Sequence, residues 1–174
     1  MFSNPEKNIE QFSVDPGIIA VDLGSGPGFY SLALAKLVGP SGRVYAVDIQ
    51  KELLSKLQTD AQKEGLHNIK LIWGDLDLEN SSTLDDNYAD RVVLANVLFQ
   101  IENKDNLISE AYRILRPGGK LLFVDWSDSF GGLGPMAKDV VKPDVARTML
   151  EAEKFIFEKE IQTGDHHYGF IFKK

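Results

Sequence analysis

The 174-residue chain contains no cysteine. That excludes disulfides, thiolate metal sites and any mechanism built on a cysteine nucleophile. Histidine is scarce: His67, His166 and His167 are the only three, and no helix-spaced third ligand accompanies the pair, so no metal site is expected. No apolar run approaches the ~20 residues that a membrane span requires. The polar start, Met1–Glu10, has no basic segment leading into an apolar stretch, so no secretion signal is expected and the expected location is cytoplasmic. Positive charge is also in deficit, with 19 Lys and Arg against 26 Asp and Glu and a net charge of −7. Binding a phosphate backbone relies on clustered cations. Here Lys51, Lys56 and Lys63 are scattered along one predicted helix, each near an acid, so nucleic acid is not an expected partner.

What is present is an alternation of short apolar runs with amphipathic stretches. Strands are predicted over Ile18–Leu23, Arg43–Val47, Ile69–Trp73, Arg91–Ala95 and Lys120–Asp125. Between them lie predicted helices over Phe29–Val38, Gln50–Glu64 and Asn106–Leu115. The second places Leu53, Leu54, Leu57 and Ala61 on one stripe before Gly65, and the third is ended by Arg116-Pro117-Gly118-Gly119. A short helix over Asp144–Leu150 then leads into two strands, Lys154–Ile161 and His167–Phe172, joined through Gly164-Asp165. Strand–helix alternation implies right-handed βαβ units and a largely parallel sheet covered on both faces. The short final connection implies a hairpin, so one of the last two strands is antiparallel. No repeat or linker divides the chain, and a single domain over residues 1–174 is expected, with residues 1–16 as a short N-terminal extension.

In open α/β sheets, ligands bind beyond the carboxyl ends of the strands. After the first strand comes Val21-Asp22-Leu23-Gly24-Ser25-Gly26-Pro27-Gly28. Alternate glycines allow a tight turn and close approach of a ligand to the peptide groups. The spacing is G-x-G-x-G; the dinucleotide pattern G-x-G-x-x-G would end at Phe29, so a dinucleotide is disfavoured. Asp22 before the glycines suits a cationic ligand better than a pyrophosphate. After the second strand, Asp48 lies 20 residues past Gly28, the offset at which a carboxylate can accept bonds from both ribose hydroxyls; alone it would read as a helix N-cap. Gly74-Asp75-Leu76 follows the third strand and is suited to the edge of an adenine, although alone it would be an ordinary turn.

In this order and spacing, VDLGSGPG, VYAVD, WGDLD, DRVVLANVLFQ and RILRPGGKLLFVDW resemble the successive motifs of class I S-adenosylmethionine (SAM)-dependent methyltransferases. The resemblance covers nearly the whole chain and is strongest to small enzymes of the ubiquinone/menaquinone-biosynthesis type. It implies a Rossmann-like α/β fold with a seven-stranded, mostly parallel sheet, an antiparallel last strand and helices on both faces. It implies SAM as cofactor. Gly24, Ser25, Gly26 and Gly28 would lie against its methionine part, with Asp22 near the amino group, Asp48 on the ribose, Ile49 packed on the adenine, and Asp75 and Leu76 bordering it. Asn96 would contact the methionine moiety or face the transferring methyl. The fourth-strand motif reads Asn96-Val97-Leu98-Phe99, without the Asn/Asp-Pro-Pro-aromatic signature, which disfavours amide and base amino nitrogens as acceptors.

The acceptor side is less specific. Asp125-Trp126-Ser127-Asp128 and the turn Gly164-Asp165-His166-His167-Tyr168 both reach the ligand edge, and His166, His167 and Asp128 are the candidate catalytic groups. Tyr168, Phe170 and Phe172 share a face and read as core. Residues 127–142, with glycines around Phe130 and Leu133, read as a lid loop. A small-molecule methyl acceptor, aromatic or quinone-like, is expected, enclosed by that loop and Phe2–Phe12, or else by a second copy in a homodimer. Methylation of RNA or protein, and a non-catalytic SAM- or nucleoside-binding role, are the competing readings.

Overall fold

The computed structural model describes residues 3–132 and 134–174. Expectations that involve Phe2 and Leu133 lie outside the described residues. The order of elements is α1 (Pro5–Glu10), β1 (Ile19–Leu23), α2 (Phe29–Val38), β2 (Arg43–Asp48), α3 (Lys51–Lys63), β3 (Ile69–Trp73), β4 (Ala89–Ala95), a 3-10 turn (Leu98–Gln100), α4 (Lys104–Ile114), β5 (Leu115–Trp126), α5 (Pro143–Ala152), β6 (Ile156–Glu160) and β7 (His167–Lys173).

The strands form one seven-stranded sheet in the order β3-β2-β1-β4-β5-β7-β6. Pairings among β1 to β5 are parallel, and β7 alone runs antiparallel, between β5 and β6. The chain leaves β1 in one direction to build β2 and β3, then returns to add β4 on the other side. A crevice therefore opens beyond the carboxyl ends of β1 and β4, where the order reverses.

Side-chain alternation gives the central strands two buried faces. Val21 and Leu23, Val92 and Leu94, and Leu121 and Phe123 pack with α4 and α5 on one side, together with Tyr168, Phe170 and Phe172. Ala20, Val93, Leu122 and Val124 pack with α1 and α2 on the other. The three aromatic residues of β7 thus form core, in ring contact with one another. The helix stripe of α3 also holds: Leu54, Leu57 and Ala61 are buried, and Gly65 adopts a left-handed φ of 68° just past the helix end. There the Leu66 N–H reaches the Ala61 carbonyl, which closes the helix in a Schellman arrangement.

Two departures from expectation concern local structure. Residues 1–16 contain a helix, α1, whose Ile9 is buried together with the following Phe12. It is a six-residue helix with an Asn4 cap, too short for periodicity to reveal. The Arg116–Gly119 segment ends α4 as expected but belongs to a long strand: Leu115 pairs with Ala89 and Lys120 with Arg91, so the intervening residues bulge out of the ladder. Gly118 makes this possible at φ 78°, and it donates to the Lys174 carbonyl.

Candidate functional site

Two hollows flank the glycine turn beyond the carboxyl ends of β1, β2 and β4. Gly24, Gly26, Pro27 and Gln100 line both. The first, of about 510 Å³, is walled by Asp22, Ser25, Tyr30 and Asn96. The second, of about 320 Å³, is walled by Asp48, Ile49, Leu53, Gly74, Asp75 and Leu76. Every residue expected at the cofactor site except Gly28 therefore lines one of two adjoining cavities.

The glycines differ in what they do. Gly26 stands at φ 51°, and a Cβ there would meet nothing within 4 Å, so its lack of a side chain leaves open space for a ligand. Gly28 stands at φ 89°, and a Cβ there would collide with the Leu57 side chain of α3. The third glycine lets α2 begin against α3, and it faces the helix instead of the cavity. Gly24 likewise leaves room for Val97, where a Cβ would come within 2.6 Å.

Asp22 is almost fully buried (1% exposed) and accepts a 2.6 Å hydrogen bond from the Ser31 hydroxyl. Burial raises its pKa to about 7, opposed by the Ser31 bond and reinforced by the charge of Asp48. A cation placed beside it would reverse that burden. Among the described residues, the buried Ser25 Oγ and Asn96 Oδ1 have no hydrogen-bond partner, and both sit in this hollow. Orphaned buried polar atoms are costly, so a polar ligand is the natural partner. Asn96 is also held at φ 59°, a left-handed conformation unusual for a non-glycine residue, with its N–H on the Val124 carbonyl.

Asp48 does more than was expected of it. Oδ2 accepts from the Gly26 N–H at 2.7 Å and Oδ1 from the Gln50 N–H at 2.8 Å, so it ties the glycine turn to the start of α3. A carboxylate offers about four acceptor positions, so both oxygens can still receive ribose hydroxyls. Ile49 is half exposed over the second hollow, while Leu76 is buried in its floor. Asp75 accepts from the Asp77 N–H at 3.0 Å, a local turn that fixes its carboxylate at the rim.

Sequence reasoning missed Gln100, Asp77 and Tyr30, which line the hollows, whereas Ser3 and Pro5, also in the lining, fall within the Phe2–Phe12 segment expected to enclose the acceptor. Gln100 lies one 3-10 turn past Asn96 and donates to its carbonyl at 2.8 Å. Tyr30 and Ser3 are joined through the buried Asn8, whose Nδ2 donates to both hydroxyls. Gln100 and Asp77 close the DRVVLANVLFQ and WGDLD motifs, in which the resemblance gives them no role, whereas Tyr30 and Ser3 belong to no motif and are brought in by the packing of α1 on α2.

On the acceptor side, the structure brings together two segments 38 residues apart in sequence. His166 Nδ1 donates to Asp128 Oδ1 at 2.8 Å, and Ser127 N–H donates to the His166 carbonyl at 2.9 Å. Phe130 stacks on His166 with ring centroids 4.0 Å apart, and Trp126 lies 4.2 Å from the His167 ring. His167 is instead turned toward the Asp165 carbonyl, and burial lowers its pKa. None of these side chains lines the two hollows. They stand beyond them, along β5 and β7. No group of three or more His, Asp or Glu among the described residues is arranged to hold a metal ion.

A sheet that reverses beside a glycine turn, with an acid ending each of the first two strands, defines a class of nucleoside-cofactor-binding α/β proteins. The comparisons narrow the class. The methyltransferase-domain family model matches residues 14–167, and the chain belongs to this family of class I SAM-dependent methyltransferases. It is 31% identical to a demethylmenaquinone methyltransferase of Geobacillus sp. over 122 residues, 70% of this chain and 51% of that protein. It is 38% identical to an arsenite methyltransferase of Aquipseudomonas alcaligenes over 113 residues, covering 63% of this chain and 33% of that one. Among solved structures, a SAM-dependent methyltransferase from Aquifex aeolicus superposes with a TM-score of 0.87 at 27% identity, covering 98% of this chain and 89% of that one. The chain spans about half or less of the length of the curated relatives it matches. The family's cofactor is SAM. The residues fit it: an open glycine cradle, two orphaned polar atoms and a buried acid face the space.

Proposed function

We propose that this chain transfers the methyl group of SAM to a small planar acceptor, aromatic or quinone-like. The observation that carries the proposal is the division of one crevice by the glycine turn into two chemically distinct halves. The half holding Asp22, Ser25 and Asn96 suits an amino-acid moiety, and the half holding Asp48, Ile49, Asp75 and Leu76 suits a nucleoside.

In this reading, Asp22 pairs with the cofactor's ammonium group. Gly24, Ser25, Gly26 and Asn96 offer polar groups and open backbone to its methionine part. Gly28 supports the turn from behind. Asp48 takes the ribose hydroxyls, and Ile49, Asp75 and Leu76 enclose the adenine. When bound, the cofactor supplies a methyl already activated on a sulfonium, so the chain's task is to align an acceptor and exclude water. Residues 127–142 serve as a flap over the acceptor, with Phe130 partly exposed among open glycines.

The acceptor class is supported by the aromatic groups along the ends of β5 and β7, and by the kinship to demethylmenaquinone methyltransferases. Trivalent arsenic is the weaker reading, because soft centres are held by thiolates and these 174 residues include no cysteine. Incubating the protein with radiolabelled SAM and fractionated extract tests the proposal. Label should enter the small-molecule or lipid fraction; label confined to RNA or protein would overturn the acceptor assignment.

A further inference from the structure

We propose that the Tyr30 hydroxyl, oriented by Asn8 and backed by Ser3, donates to the carboxylate of the cofactor's methionine part. This rests on the methyltransferase reading above, and it makes the N-terminal helix α1 a working wall of the cofactor site.

The glycine turn itself has no backbone donor to offer a carboxylate. The Gly24 and Ser25 N–H groups both go to the Val47 carbonyl, at 2.8 and 3.0 Å. The Gly26 N–H goes to Asp48 Oδ2, and the Gly28 N–H to the Ser25 carbonyl. Pro27 has no N–H. None of the described residues that line the hollow of about 510 Å³ is Lys, Arg or His. An amino-acid moiety seated there brings a carboxylate as well as an ammonium, and an anion taken out of water needs donors.

Tyr30 supplies one. Asn8 is buried, and its Nδ2 carries two hydrogens, one given to the Tyr30 oxygen at 2.6 Å and the other to Ser3 Oγ at 2.8 Å. The Ser3 hydroxyl stands beside the Tyr30 oxygen as a further donor to it. A phenol oxygen that is already accepting has its own proton left to give. Burial raises the Tyr30 pKa, which keeps that proton in place. Tyr30 and Ser3 both line the hollow, and the buried, unpartnered Ser25 Oγ adds a further hydroxyl there.

The two sides of the hollow are complementary. Its acceptors, Asp22 and Asn96 Oδ1, come from the carboxyl ends of β1 and β4. Its hydroxyl donors Tyr30 and Ser3 come from α2 and from the start of α1, and Tyr30 lies in the first turn of α2, where the positive end of a helix favours an anion. One side suits a cation and the other an anion, the pattern of a zwitterion. The donor side is also preorganised. Ile9 and Phe12 are buried in the core, and Gln11 exchanges two hydrogen bonds with the Gln162 main chain, at 2.9 and 3.0 Å, which anchors α1.

The test is calorimetry on wild type, Tyr30→Phe and Asn8→Asp with three probes. These are S-adenosylhomocysteine, its decarboxylated analogue, which keeps the amine, and 5′-methylthioadenosine, which lacks both groups. Wild type should bind S-adenosylhomocysteine at least about tenfold more tightly than the decarboxylated analogue. Tyr30→Phe should weaken S-adenosylhomocysteine by about tenfold or more and leave the other two probes within about twofold. Asn8→Asp keeps the shape but reverses the chain, because its carboxylate would itself accept the Tyr30 proton; it should show the same selective loss, with melting curves confirming that both variants fold. Wild-type affinity of Tyr30→Phe for S-adenosylhomocysteine, or an equal loss on all three probes, would overturn the assignment. So would a wild type that does not distinguish S-adenosylhomocysteine from the decarboxylated analogue. Failure of wild type to bind any of the three would instead sink the underlying methyltransferase reading.

Discussion

Asp22 couples cofactor binding to pH, and the size of the effect follows from the structure. Its burial places the pKa at about 7 in the free protein. The proposed partner, the ammonium of the cofactor's methionine moiety, pairs favourably only with the ionised form, so binding at low pH must first displace a proton. With a pKa of about 7, roughly three-quarters of the groups are ionised at pH 7.5 and about 3% at pH 5.5. Affinity for S-adenosylhomocysteine should therefore fall by about 25-fold across that window, close to 2 kcal/mol. Calorimetry at several pH values, in buffers of different ionisation enthalpy, reads both the affinity and the proton released. Asp22→Asn should bind about 10- to 100-fold more weakly at pH 7.5, because it lacks the charge-assisted bond, and should show little pH dependence. The sign for stability is the opposite. A folded-state pKa raised above the unfolded value contributes stability that is fully present below the unfolded pKa and lost as pH rises through about 7. Without ligand the protein should thus melt lower at pH 7.5 than at 5.5, and Asp125, also raised to about 7 by burial, adds to that trend. A wild-type affinity that stays within threefold from pH 5.5 to 7.5, or an Asp22→Asn protein with the wild-type slope, would refute the reasoning.

Two further predictions separate binding from folding. Gly28→Ala should lower stability by about 1–3 kcal/mol through its clash with Leu57 and its positive φ, whereas Gly26→Ala should cost less stability but weaken S-adenosylhomocysteine binding at least tenfold by filling the cradle; melting curves and calorimetry together check the ranking, and its reversal would show that the glycine roles are misassigned. Asp48→Ala should weaken the same ligand by about 10- to 100-fold and also cost about 1–3 kcal/mol of stability, because the Gly26 and Gln50 N–H groups lose their acceptor; an unchanged dissociation constant would remove Asp48 from the site.

The sequence by itself determined the fold class, the cofactor and which residues gather around the glycine turn. These are encoded locally: strand and helix periods differ, glycines mark the turn, and in an open α/β sheet the residues following each strand must lie along one edge. Asp22, Asp48 and Asp75 by their positions, and Ile49 by the family resemblance, were thus expected at the hollows that they line. What only the tertiary structure decided lies in contacts between distant segments. Gly28 reads as a ligand glycine until Leu57 is seen against it. Asp48 reads as a free carboxylate until Gly26 and Gln50 are found on it. Helix α1 and Tyr30 carry no periodic or motif signal, so their place in the crevice emerges only from packing. The pairing of His166 with Asp128 is the clearest case. Topology brings both segments to one edge, but a 2.8 Å bond depends on strand register and on one left-handed backbone angle. Neither is written in any local pattern of residues, because both arise from how β5 and β7 align across the sheet.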